Sequence, residues 1–234
     1  MTGLDFGIGT TIAVLMAAGF TRMSSGRSLI VTFVPGVAVS WLVLLWMFVQ
    51  HIDLPAAQDF LPYFFAALVV QFLHFAEEFR TDFKTFFPTL YGGAAYSDNL
   101  FVTFNMAAYA LFTTCALLAF YLHAGYLLMP ALFFVVYGAI GNAISHTVWS
   151  VVARAYRPGL VTAQAYWVIG PFALYKLIDS AVATALTCVG FGVVLLITLN
   201  LTPKRTARQT SSALTGPVGP DRRRAIPADH HRAK

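Results

Sequence analysis

LIVTFVPGVAVSWLVLLWMFV, residues 29–49, has no acidic or basic side chain in 21 positions. A helix rises 1.5 Å per residue, so this stretch reaches about 30 Å, the thickness of a bilayer's hydrocarbon core. Apolar runs of the same kind recur along the chain. Of the 234 residues, 58% are hydrophobic and 11% are charged, whereas a soluble domain carries about 25% charged residues. Too few polar side chains remain to cover a soluble surface. The fold class is therefore all-α, a polytopic bundle of transmembrane helices.

Periodicity and loop residues predict helices at about 5–21, 29–49, 59–79, 99–122, 127–153, 163–178 and 181–201. The N-terminus lacks a basic leader and carries Asp5, so it reads as a first span rather than a signal peptide. The apolar run from Ala163 to Leu201 is too long for one span. Its only break is at Lys176, Asp179 and Ser180, with Asp179 as a cap for the last helix. This gives seven spans, or six if that run is unbroken. Basic residues follow alternate spans: Arg22 and Arg27, then Arg80 and Lys84, then Arg154 and Arg157, then the C-terminal tail. The loops QHIDLPAAQD and HAGY between them have no lysine or arginine. The positive-inside rule therefore puts the N-terminus outside and the C-terminus inside a multi-pass protein of the cell membrane.

Two domains are expected, a membrane domain over residues 1–202 and a disordered basic cytoplasmic tail over 203–234. The tail's lysines and arginines mark the cytoplasmic side and favour anionic lipid over nucleic acid. Cys115 and Cys188 both lie in apolar runs and form neither a disulfide framework nor a metal motif.

The chemistry-bearing residues stand at the end of the third predicted helix, in QFLHFAEEFR (71–80). Ionisable groups are costly in lipid and need a partner or a function. His74 and Glu78 are four apart and share a helix face. Asn142 and His146 in GNAISH share a face of the fifth helix in the same way. Both helices run from outside to inside, so the two pairs reach the cytoplasmic boundary at similar depths. Gly138, Gly141, Ala143 and Ser145 are small enough to let a neighbouring helix approach closely.

Three motifs thus stand in order: HFAEE (74–78), NAISH (142–146) and YRPGLVT (156–162). They match H-x-x-E-E, N-x-x-x-H and Y-x-P-G-x-x-T. Over roughly residues 35–200 the chain resembles the HXXEE domain family of integral membrane proteins of unknown function. The resemblance implies a helical membrane protein and no particular substrate.

Taken singly, each of these residues has an ordinary structural role open to it. Glu77 and Glu78 can pair with Arg80, and either histidine can be a packed, hydrogen-bonded one. Together they suggest a metal site. In metallopeptidases of the H-x-x-E-H type the ligands are four apart with the general base between them. By that layout His74, Glu78 and His146 are the metal ligands, Glu77 is the catalytic base, and Asn142 is a catalytic group that positions or polarises the substrate. Two imidazoles and a carboxylate suit zinc, and equally non-haem iron. Tyr156, Arg157 and Thr162 are candidate substrate-binding residues, with Tyr156 or Arg157 on a lipid phosphate. Structurally, Pro158 and Gly159 make a turn there and Thr162 can cap the next helix. Residues 79–99 are long for a connection and suggest a lid or half-buried segment.

The expected function is a membrane-embedded metal-dependent hydrolase acting on a lipid-like or amphiphilic small molecule at the cytoplasmic face. Its rivals are a proton-coupled transporter or channel using the His/Glu cluster as a relay, and a non-catalytic bundle locked together by the motifs.

Overall fold

A computed structural model describes residues 1–200, so the basic tail expected over 203–234 lies outside the described residues. All regular elements among those residues are helical. Six helices are long and apolar enough to cross a membrane: α1 (Gly3–Met23), α2 (Ser28–Val49), α3 (Ala57–Arg80), α5 (Asp98–Tyr121), α6 (Gly125–Ala153) and α9 (Ala181–Asn200). Between them lie three shorter helices: α4 (Phe83–Leu90), α7 (Leu160–Ala163) and α8 (Tyr166–Ile178).

Local chemistry sets several of these boundaries. Thr2 and Asp5 form a capping box, with the Asp5 N–H donating to Thr2 Oγ1 at 3.1 Å and the Thr2 N–H donating to Asp5 at 3.0 Å. Ser97 caps α5 by accepting the Leu100 N–H at 3.2 Å. The expected break after Lys176 is present, but its parts are exchanged. Asp179 is not the cap of the last helix; it ends α8 in the left-handed region at φ 46°, which aspartate tolerates better than most residues. Ser180 caps α9 instead, accepting the Ala183 N–H at 3.2 Å. The helix expected over about 163–178 is the 13-residue α8, which starts at Tyr166 and is preceded by the single turn α7.

Helix α6 is the axis of the bundle: 83% of its most apolar window is buried, against 11% for α1 and 22% for α9. Over Phe134–Gly141 it is wound as a π-helix, a feature common near functional sites. Outward residues such as Leu4, Val14 and Leu15 on α1 and Val182, Leu186 and Val189 on α9 are apolar and exposed. An outer surface of that kind fits lipid and is out of place in water.

At one end of the bundle the Met1 ammonium meets Asp53 at 3.3 Å, and Gly125 lies against Asp5. At the other end, the α1–α2 turn docks onto the segment between α4 and α5. Arg27 N–H donates to Tyr91 O at 3.2 Å, and Ser25 Oγ donates to Ala94 O at 2.6 Å. A side chain on Gly93 would run into the Ser25 backbone, which accounts for the Gly92–Gly93 pair. The long connection expected over 79–99 is half-buried: α4 turns Phe83 and Phe87 inward against Trp149 of α6.

Tyr96 ties this end together. Its hydroxyl accepts the Ser25 N–H at 3.1 Å and lies 3.0 Å from Ser28 Oγ. Tyr96→Phe should therefore destabilise the protein by about 1–3 kcal/mol, since a part-buried amide loses its partner. Thermal unfolding in detergent checks this; an unchanged midpoint would show that the tie contributes nothing.

Candidate metal centre

The inward face of α3 is a stripe at helical spacing: Phe60, Phe64, Ala67, Gln71, His74 and Glu78. The stripe is apolar at one end and becomes polar over its last two turns. Beside those turns α6 presents His146. Both histidines are fully buried, and their rings meet edge to face with centroids 4.7 Å apart. Glu78 Oε1 lies 3.3 Å from His74 Nε2 and 3.4 Å from His146 Nε2. The sequence-predicted ligands His74, Glu78 and His146 thus come together in one buried group that could hold a metal ion.

The two far ring nitrogens fix the protons. His146 Nδ1 lies 2.7 Å from the carbonyl of Pro158. A carbonyl only accepts, so Nδ1 carries the hydrogen. His74 Nδ1 lies 2.9 Å from Thr162 Oγ1, whose own proton goes to Glu77 Oε2 at 2.5 Å. His74 Nδ1 must donate as well. In their neutral forms both imidazoles therefore aim an Nε2 lone pair at Glu78. Neither Nε2 makes a hydrogen bond of acceptable geometry. Three electron-pair donors facing one another repel unless a proton or a metal cation lies among them. A tetrahedral site with bonds of about 2.0–2.1 Å has edges of about 3.3–3.4 Å, which matches the two nitrogen–oxygen separations.

Glu77 faces another way. One position along the helix turns it by about 100°, towards the segment that follows α6. Its carboxylate accepts from the Tyr156 hydroxyl at 2.7 Å, from the N–H groups of Val161 and Thr162 at 3.0 and 2.8 Å, and from the Thr162 hydroxyl. This arrangement differs from the general base pictured in the sequence: both oxygens are held by the loop. Thr162 likewise does not cap a helix but bridges Glu77 to His74. Partial burial and the neighbouring Glu77 carboxylate push the Tyr156 hydroxyl up to about 12, so it stays a donor at neutral pH. Arg157 is 3% exposed, with its guanidinium 5.7 Å over the Phe86 ring, and it does not reach out to a lipid phosphate. Arg80 is exposed and forms no ion pair with either glutamate.

Asn142 and Glu78 both line a cavity of about 200 Å³ bounded by α1 to α6. Further polar residues share its wall, among them Gln71, Asn105 and Tyr109. Gln71 Nε2 donates to the Tyr109 hydroxyl at 2.8 Å, and that hydroxyl donates to Asn105 at 2.9 Å. Tyr166 of α8 donates to Gln71 Oε1 at 2.7 Å. Sequence reasoning passed over Gln71, Tyr109 and Tyr166. The signal for Gln71 was there, since it precedes His74 by three residues and Glu78 by seven, on the same face.

Neither a protein-family model, nor a curated protein, nor a solved structure matches the chain.

Gly159 sets the fit of the loop against the centre. It has φ +84°, and a Cβ there would lie 2.5 Å from His146 Cε1 and 2.8 Å from His74 Cε1. Gly159→Ala should destabilise the protein by roughly 1–3 kcal/mol or more, combining backbone strain with a clash against two buried rings. A thermal unfolding midpoint equal to that of the parent would show that the loop is not seated on the histidines.

Proposed function

We propose that the protein is a membrane-embedded metal-dependent enzyme, a hydrolase acting on a lipid-like or amphiphilic substrate at the cytoplasmic face. The observation that carries this reading is the convergence of two imidazole lone pairs and a carboxylate oxygen beside a cavity that Glu78 itself lines. His74, His146 and Glu78 hold the metal. Zinc fits three such ligands with one position left open; when bound, it supplies a Lewis acid and an activated water. Asn142, on the cavity wall, positions the substrate's polar group. Glu77 acts through Thr162: its four hydrogen bonds support a role in fixing the orientation of His74 and the seat of the loop. Outer partners of that kind set ligand geometry and basicity.

The three motifs of the sequence converge in space at this centre. HFAEE supplies His74, Glu77 and Glu78; NAISH supplies Asn142 and His146; YRPGLVT supplies the Tyr156 hydroxyl, the Pro158 carbonyl and Thr162. That convergence supports membership of the HXXEE family.

We also propose seven crossings, with the N-terminus outside and the C-terminus inside. Tyr166, near the start of α8, bonds Gln71 close to the centre, while Lys176, near its end, lies over the ring of Tyr63 towards the start of α3. α8 thus runs back along α3. Together with α7 it spans residues 160–178, about 28 Å if helical throughout. Arg22, Arg27, Arg80, Lys84, Arg154 and Arg157 all belong to the end of the bundle that holds the centre, as the positive-inside rule requires of a cytoplasmic face.

A proton relay is the weaker reading. The polar series Asn105–Tyr109–Gln71–Tyr166 ends at the backbone of Ala67. Beyond it the interior face of α3 is Phe60, Leu61 and Phe64.

Metal analysis of the purified, metal-replete protein tests the reading. The parent should hold about one zinc per chain, and Glu78→Gln and His146→Ala should lose most of it. Thr162→Val, which keeps the shape but removes the bridge to His74, should weaken zinc binding by about 10–100-fold in a chelator competition. A metal-free parent would overturn the proposal. Iron in place of zinc would replace hydrolysis with oxidative chemistry.

A further inference from the structure

The cavity beside the centre has a shape of its own. Its wall is mainly aromatic: Phe20 of α1, Phe33 of α2, Phe104 and Phe112 of α5, and Phe133 and Phe134 of α6. A polar series lines part of the wall, from Glu78 inwards to Gln71, Tyr109 and Asn105. Almost every lining residue is buried or half-buried, and the two exceptions lie together: Met23, at the end of α1, is 44% exposed and Leu100, at the start of α5, is 47% exposed. The opening is therefore lateral. It lies between two lipid-facing helices, at the end of the bundle where α1 finishes and α5 begins. Just inside it the Phe20 and Phe104 rings meet edge to face, with centroids 6.3 Å apart. From Leu100 to Phe112 the slot follows α5 inwards for about 18 Å.

We propose that this slot takes a single unbranched acyl chain that slides in from the bilayer between α1 and α5. Its polar end stops beside Glu78 and Asn142, and its methyl end reaches Phe112 and Phe134. Three observations carry this. The exposed residues at the mouth, Met23 and Leu100, are both apolar and belong to two helices with apolar outer faces, an edge suited to a molecule dissolved in the membrane. The volume, about 200 Å³, is below the roughly 300–1,000 Å³ of ordinary ligand pockets, which suits one chain and not two. The polar atoms nearest the mouth lie at interfacial depth and the aromatic floor lies deeper, so a lipid enters without reversing its orientation in the leaflet. The assignment of this chain as substrate rests on the metal-dependent reading above.

The test uses the full chain in lipid nanodiscs and palmitic acid bearing a mid-chain diazirine. Light should attach the probe to lining residues of α1, α5 and α6. Ala108 lines the slot from α5, a helix that supplies none of the metal ligands. Ala108→Trp should cut labelling of those residues by about tenfold or more through overfilling, with zinc content unchanged. Leu100→Trp, at the mouth, gives the same readout if Ala108→Trp does not fold. Labelling spread evenly over the lipid-facing surface, or insensitive to both variants, would overturn the proposal. Equal labelling of the slot by a two-chain phospholipid carrying the same diazirine would also overturn it. If the parent binds no zinc yet labels the slot in a manner sensitive to Ala108→Trp, the slot stands and the metal reading falls.

Discussion

Two imidazole nitrogens and one carboxylate oxygen, all buried, face one another inside the helical bundle, and the surrounding structure is arranged around that. A neutral histidine has one hydrogen to give. Here each gives it outwards, to the Pro158 carbonyl and to Thr162 Oγ1, so each must turn its lone pair inwards. The inward atoms then meet Glu78 Oε1 at 3.3 and 3.4 Å. A buried group of this kind is unfavourable by itself, and the loop after α6 is needed to hold it in place. That loop has few means of its own. It is anchored by Glu77, by the turn at Gly159 and by the burial of Arg157, with α4 and Trp149 covering the outer side of His146 through Phe83.

Adjacent glutamates make sense in this light. Neighbouring positions on a helix point about 100° apart, so one glutamate can enter the centre while the next secures the segment that closes it. Glu78 at i+4 from His74 stays on the ligand face. Glu77 at i+3 meets Tyr156, Val161 and Thr162, and through Thr162 it reaches back to the other side of the same histidine. The two carboxylates thus stand on opposite sides of His74, Glu78 facing Nε2 and Glu77 reaching Nδ1 through the Thr162 hydroxyl.

Much of this was legible from sequence. Helix positions followed from apolar length, and the depth match between His74–Glu78 and Asn142–His146 followed from 1.5 Å per residue on two helices running the same way. What was not legible depended on where the loops went. Glu77 looked like a base because nothing in the sequence shows that residues 156–162 fold back onto it. Asp179 and Ser180 are both good caps by type, and only the left-handed backbone at Asp179 separates their roles. Residues 79–99 contain a short amphipathic helix that a polar, glycine-bearing sequence conceals. The π-wound stretch of α6 has no turn residue to announce it; around it Phe191 of α9 lies against Gly141, and Gly170 of α8 lies against Ile140.

Charge gives the last link between the centre and the reaction. Glu77 and Glu78 bring two negative charges to this end of the bundle, and Arg157, buried nearby, brings one positive charge. Without a cation the group carries one net negative charge in a medium that solvates charge poorly. A divalent metal reverses the sign and leaves one net positive charge. On the proposed reading, a metal held by His74, Glu78 and His146 would supply the positive charge that stabilises an anionic oxygen. Besides Glu78, the polar groups of the cavity wall are neutral donors and acceptors, among them Asn142, Asn105, Gln71 and Tyr109. On that reading, charge would be met mainly at the metal, and the neutral amides and hydroxyls of the cavity wall would serve to orient the polar end of the substrate.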